Sequence, residues 1–332
     1  MAWITWRQHR LALAGVAVLL GGCALVLAVT GLRMRAAYAS FTAARCAPGG
    51  GAATSRCTSL WGAYYHAGYP LTGNLQMVVT GLLVIPLLIG MFVAAPLLAR
   101  EYETGTFRFA WTQAAGPTRW VAVKLALLGG TLTAAGSAFG VLVSWWLTVQ
   151  EPIWDGSRWQ ADQFGVTAVT FAAGTLLGFA VGAFVGALIR RTVPAMAATA
   201  CSLAAIAVVT YQKLDPLLAG ADPVTRRSAL LNLLPYQPGS PPPTFVSGQA
   251  VTVSAPPGSW PLRAWFTGPH GRTAAFPSLQ QRYLAAHHLT LWIAYEPAGR
   301  FWLLQCAEGA GCLLLALLLG AATVWLVRRK AA

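Results

Sequence analysis

Six long apolar runs fix what this chain can become. Leu11–Gly31, Leu75–Ala99, Leu125–Val149, Phe164–Ile189 and Thr192–Gln212 hold no charged residue, and Phe301–Val327 holds one acid, Glu308. About 20 apolar residues cross a bilayer as a helix rising about 1.5 Å per residue. Backbone polar groups have no water to bond to in hydrocarbon, so each run must close its hydrogen bonds internally as a helix. A β-barrel would need alternating polarity in segments of about ten residues, which these runs lack. The expected fold is therefore an all-α integral membrane protein with six transmembrane helices.

Composition supports this. Of 332 residues 56% are hydrophobic and 10% charged, where a soluble domain has about a quarter charged. The net charge of +14 raises nucleic acid as a partner, but the basic residues sit at the ends of the apolar runs. Arg7, Arg10, Arg100, Arg190, Arg191, Arg328, Arg329 and Lys330 are so placed, which fits anionic lipid and the positive-inside rule and argues against nucleic acid. Six spans put both termini on one side. With the termini cytoplasmic, the inner segments carry eleven Lys and Arg and the two short outer loops five. The expected location is a plasma membrane. Arg33 and Arg35 follow the first run in place of a small-residue cleavage site, so it reads as a span and not as a signal peptide.

The polar segments divide the chain further. Residues 1–10 carry Trp3, Trp6, Arg7 and Arg10, as a short interfacial helix would; simple anchorage of the first span is the alternative. Residues 11–212 form a five-span region, 213–300 an extracellular, Pro-rich and aromatic cap, and 301–332 the sixth span and a cytoplasmic tail. The cap suggests loops and an amphipathic helix near Leu279–Tyr295. Cys46 and Cys57 lie in the first outer loop, where an oxidising exterior would let them bridge; two free thiols are the alternative. Cys23, Cys201, Cys306 and Cys312 fall within spans and read as packing residues.

Between the second and third spans, Phe107, Ala110, Trp111 and Ala114 recur at helical spacing, with Gly116 as a stop and Pro117 opening the next helix. A short cytoplasmic helix over about residues 101–116, joined rigidly to two spans, is the expectation. Gly174, Gly178, Gly182 and Gly186 recur every four residues along the fourth span, a stripe that lets another helix approach closely. Packing within the subunit and a seam between subunits are both open. Pro86 and Pro96 lie in the second span. Glu308 is a functional candidate because an intramembrane acid is costly to keep.

Here the residues resemble a known family. Glu101-x-Glu103-x-Gly105-Thr106 directly after a span, then a helix, then Pro117-Thr118-Arg119-Trp120 and Lys124 opening the next span, is similar to the type-2 exporter family of ATP-binding-cassette (ABC) permeases. The run Arg190–Met196 and the segment from Arg300 through Gln305 to Glu308 look like actinobacterial members. The resemblance implies a bacterial half-transporter working as a homo- or heterodimer. A separate ATPase subunit would bring ATP and Mg and dock on the loop helix. Glu101, Glu103, Gly105 and Thr106 match the motif as coupling residues. Phe107 and Trp111 stand where many members have a Leu-rich run, and are added as candidates for the ATPase contact. A solvated helix start is the plain alternative for the two acids.

The chain itself has no catalytic motif. None of its lysines, Lys124, Lys213 and Lys330, follows a glycine, so there is no phosphate-cradling Gly-Lys-Ser/Thr; His-Glu-x-x-His and Gly-x-Ser-x-Gly are absent too. His287 and His288 are adjacent and do not converge on a metal. Two rivals remain: an ion-coupled secondary transporter, which should show several intramembrane ionisable residues, and a non-transporting membrane sensor or immunity component.

Overall fold

The computed structural model describes residues 2–46, 55–69, 71–105, 116–154, 161–210, 224–227, 230–232, 244–246, 249–253, 259–267 and 290–331. The chain divides into two compact units. One comprises Met1–Thr148, Gly165–Thr210 and Gln305–Ala332; the other comprises Val149–Phe164 and Tyr211–Leu304.

The architecture is mostly helical, and six helices among the described residues are long and apolar enough to cross a membrane. The first helix, α1, runs unbroken from Ala2 to Ala43. At 1.5 Å per residue it is about 63 Å long, twice the hydrocarbon thickness. The sequence led us to expect a separate interfacial helix over residues 1–10. Instead those residues are the first turns of α1, because no Gly or Pro interrupts Ala2–Ala14. At the far end Gly31 likewise fails to stop the helix. It ends at Ala43, where Arg45 turns left-handed (φ 59°). The Arg45 and Cys46 amides then bond back to Thr42 O (2.9 Å) and Phe41 O (3.4 Å), which satisfies carbonyls the helix end would orphan.

Helix α2 (Ser55–Gly68) packs back on the projecting end of α1. Tyr38, Phe41, Trp61 and Tyr64 form the contact, with ring centroids 5.1–6.1 Å apart. Tyr64 is fully buried there, and burial, with Tyr38 nearby, pushes its hydroxyl above the ordinary tyrosine range. Cys46 and Cys57 are joined as a disulfide, with Cα atoms 5.7 Å apart.

The second span is built in three pieces: α3 (Leu75–Ile89), a π-helical turn (Gly90–Ala94), and α4 (Ala95–Thr104). Pro96 supplies no N–H and its ring crowds the carbonyl four residues back. The wider turn just before it relieves that conflict. The third span is α5 (Pro117–Trp154), followed by the short α6 (Ala161–Gly165). The fourth span, α7 (Ala168–Ile189), is apolar all round and the most buried, as a central helix should be. The fifth is α8 (Thr192–Val209) and the sixth α9 (Phe301–Ala331).

The glycine stripe of α7 lies against the second span. A Cβ at Gly178 would fall on the Pro86 carbonyl, one at Gly182 on that of Gly90, and one at Gly186 on that of Ala95. A Cβ at Gly174 would meet nothing within 4 Å. Across the helix, α7 packs on α5, where a Cβ at Gly140 would press on Ala168 and Phe139 meets Phe171 at 5.4 Å. The amide of Ala168 finds its acceptor across that contact, in Ser144 Oγ at 3.0 Å.

The second unit contains antiparallel strands that the sequence reading did not anticipate. Among the described residues, β1 (Val224–Arg227), β6 (Thr290–Glu296) and β5 (Trp260–Thr267) form one sheet, with β6 in the middle. A second sheet orders β2 (Leu230–Asn232), β4 (Gln249–Val253) and β3 (Thr244–Val246). The amphipathic helix expected near Leu279–Tyr295 is corrected over its last residues, since Thr290–Tyr295 are strand. Leu291 and Ile293 alternate inward, and Trp292 donates from Nε1 to Thr267 Oγ1 at 2.9 Å on the neighbouring strand. Residues 279–289 lie outside the described residues.

Candidate functional site

The Glu-x-Glu motif closes the second span. Glu101–Thr104 are the last turn of α4, and Gly105 ends it in the left-handed region (φ 73°), a conformation that suits Gly. The loop helix drawn from about residue 101 therefore does not begin there. Residues 106–115, with Thr106, Phe107 and Trp111, lie outside the described residues. The plain alternative for the two acids, a helix start favoured by its dipole, is also corrected. They stand at a helix C-terminus, where the dipole opposes negative charge. Both acids find partners on other elements.

Glu101 finds one across the loop. Its Oε1 accepts from Lys124 Nζ in an ion pair, and the two side chains are 16% and 4% exposed. Lys124 lies two turns into α5, with its Nζ 4.5 Å from the Trp120 ring centroid. The pair joins the two spans that flank the loop.

Glu103 reaches the fourth-to-fifth span junction. Arg190 ends α7 in the left-handed region (φ 61°), Arg191 is extended, and Thr192 opens α8. Glu103 Oε2 accepts from the Thr192 amide (3.0 Å) and hydroxyl (2.6 Å). A carboxylate at that point supplies the acceptor and negative charge that a helix N-terminus favours. Between the two acids, the Tyr102 ring carries the Arg190 guanidinium 5.1 Å from its centroid. Three consecutive residues thus tie the end of span two to span three, to the end of span four, and to the start of span five. Lys124, Arg190 and Thr192 were present in the sequence as anchors or resemblance marks, and their contacts with this motif were missed. The sign available was that Lys124 is the only lysine before residue 213, set in a span whose neighbour ends in acids.

Glu308 is partly exposed on α9, one turn after Gln305. Gln305 is fully buried and donates from Nε2 to Thr167 Oγ1, just before α7. Thr170 is buried one turn further along. Gly309 packs on Val169. This places the acid beside the contact between the sixth and fourth spans. Among the described residues no cluster of His, Cys, Asp or Glu is disposed to hold a metal.

Six membrane-length helices make the chain a multi-pass membrane protein. Residues 16–214 match the family described as ABC-2 membrane transporter related, and the chain belongs to that family. The match runs from within the first span to the end of the fifth, takes in the whole Glu-x-Glu region and stops before the strands. The chain is thus of the ABC-2 permease class, the membrane component of a transporter, a class that in general partners an ABC ATPase subunit. No curated protein and no solved structure is significantly similar to the chain.

Proposed function

We propose that this chain is the membrane-spanning subunit of an ATP-driven exporter in a bacterial plasma membrane, with both termini and the loop of residues 105–116 in the cytoplasm. Two permease subunits pair, as a homodimer or heterodimer, and each docks a separate ATPase that binds ATP and Mg. Closure of the ATPases pushes the loop, and the loop moves the spans. The carrying observation is the triple tie at the base of the loop. A displacement delivered there reaches span three through Glu101–Lys124 and span five through Glu103–Thr192. On this reading Glu101 and Glu103 are positioning residues that hold the loop's root, and the ATPase grips residues further along, with Thr106, Phe107 and Trp111 the candidates.

The cargo is amphipathic or hydrophobic, since the spans offer few charges to bind an ion. A proton- or sodium-coupled mechanism would call for more ionisable groups than Glu308 within the apolar runs. Extraction of the full chain from its native membranes in mild detergent tests the proposal. An ABC ATPase should copurify, and the chain should raise its ATP hydrolysis. Isolation without any nucleotide-hydrolysing partner would overturn it.

A further inference from the structure

Helices α1 and α5 run side by side and meet closely around Thr30 and Trp146. There Trp146 Nε1 donates to Thr30 Oγ1 at 3.2 Å, and Gly31 lies so close under Trp145 that a Cβ would come within 2.7 Å of the indole. Toward the Arg10 end the helices leave a groove of about 420 Å³, open to the side. Leu13, Ala17 and Gly21 line it from α1, and Thr131, Ala135 and Phe139 from α5. Small residues, Ala17, Gly21 and Ala135, share the lining with larger apolar ones, of which Leu20, Leu132 and Phe139 are buried, and a Cβ at Gly21 would meet nothing within 4 Å. Thr131, the polar side chain among these, spends its hydroxyl on Leu128 O of its own helix at 3.0 Å. The groove therefore asks for hydrocarbon and nothing else.

Its position specifies the hydrocarbon. The lining of α1 extends from Leu13 to Ala24, about 5–20 Å along the helix from Arg10. That is the depth of one leaflet. Arg10 is exposed and lies three residues before Leu13 and seven before Ala17, on the same helical face. No Asp or Glu occurs among the first 100 residues, so α1 carries no acid to neutralise this arginine. A slot one leaflet deep with a cation at its mouth is the outline of a lipid: one acyl chain inside, a phosphate at the guanidinium. We propose that the groove between α1 and α5 holds one acyl chain of an anionic phospholipid from the surrounding bilayer, with its phosphate on Arg10. The lipid braces the first span against the third where their side chains do not interlock.

A ligand that binds the folded state raises its apparent stability, so thermal unfolding of the full chain in neutral detergent reads the site. Dioleoylphosphatidylglycerol should raise the unfolding temperature saturably, at about fivefold lower concentration than dioleoylphosphatidylcholine, as one basic contact with an anionic headgroup would give. Arg10→Gln should erase the difference between the two lipids, and Arg10→Lys should keep it. Gly21→Leu fills the groove and should abolish the response to both lipids; Ala135→Leu does the same from α5 if the first variant folds poorly. Equal potency of the two lipids on the unchanged chain would overturn the proposal. So would an undiminished response in the filled variants, or a change of oligomeric state on filling, which would assign the groove to a second copy.

Discussion

Glu103 closes the N-terminus of a helix that begins 89 residues later. Its carboxylate accepts both the amide and the hydroxyl of Thr192, so the end of the second span and the start of the fifth share one acceptor. The arrangement resolves two local problems together. A carboxylate leaves the unfavourable end of α4, and the first amide of α8 gains a partner.

Replacing Glu103 should therefore act on coupling more than on folding. Glu103→Gln keeps an acceptor and should leave most ATPase stimulation intact, whereas Glu103→Ala removes it and should lower stimulation several-fold with a small drop in unfolding temperature. Thr192→Val should reproduce the alanine result in part, by removing the hydroxyl and sparing the amide. ATP hydrolysis by the copurified complex, beside thermal unfolding, checks this.

The Glu101–Lys124 pair carries a larger penalty when half of it is removed. Lys124 is almost fully buried, and a buried charge left without its partner costs about 3–5 kcal/mol. Glu101→Leu alone should destabilise the chain strongly. The double variant Glu101→Leu with Lys124→Met should recover most of that loss, since an apolar pair of similar size is often neutral. A double-mutant cycle on unfolding in detergent measures the coupling; additivity of the two single losses would refute the pair.

Close helix approach makes its own prediction along α7. Gly182→Ala and Gly186→Ala force a methyl onto backbone carbonyls of the second span and should cost about 1–3 kcal/mol each, as overpacking does. Gly174→Ala should be neutral or slightly stabilising, because its Cβ meets open space and alanine is the better helix former. The order of the three unfolding temperatures decides the matter.

At the other end of α1, Cys46→Ser with Cys57→Ser should lower stability by about 3 kcal/mol on the chain-entropy estimate for so short a loop. Proteolysis of the first loop should accelerate, while spans and coupling persist. A thiol count on the denatured chain, with and without reductant, reports the bond directly.

Much of the membrane architecture was legible because the bilayer leaves so few choices. Runs such as Leu75–Ala99 can only be helical, and their length and charge-free character are written in the residues. What was not legible is where neighbouring segments meet. Nothing in Glu101 or Glu103 names Lys124, 23 positions on, or Thr192, 89 positions on; those contacts depend on how the helix ends converge. The extent of α1 was underestimated because Gly31 and the Arg10–Leu11 step read as boundaries, although neither breaks a helix without help from Pro or a left-handed turn. Thr290–Tyr295 was misread for a different reason. Its Leu291 and Ile293 carry the two-residue period of a strand, but the run is short and apolar, where helix and strand are hardest to separate. The left-handed Arg45 and Arg190 had no sequence sign at all, since a glycine is the usual residue at such helix ends.

The account stands on the loop between α4 and α5 facing the cytoplasm, where an ATPase can reach it. A Thr106→Cys variant with Cys23, Cys201, Cys306 and Cys312 changed to Ala tests this with a membrane-impermeant maleimide. Inverted vesicles should label and intact cells should not. Labelling of Thr106→Cys in intact cells would contradict the account.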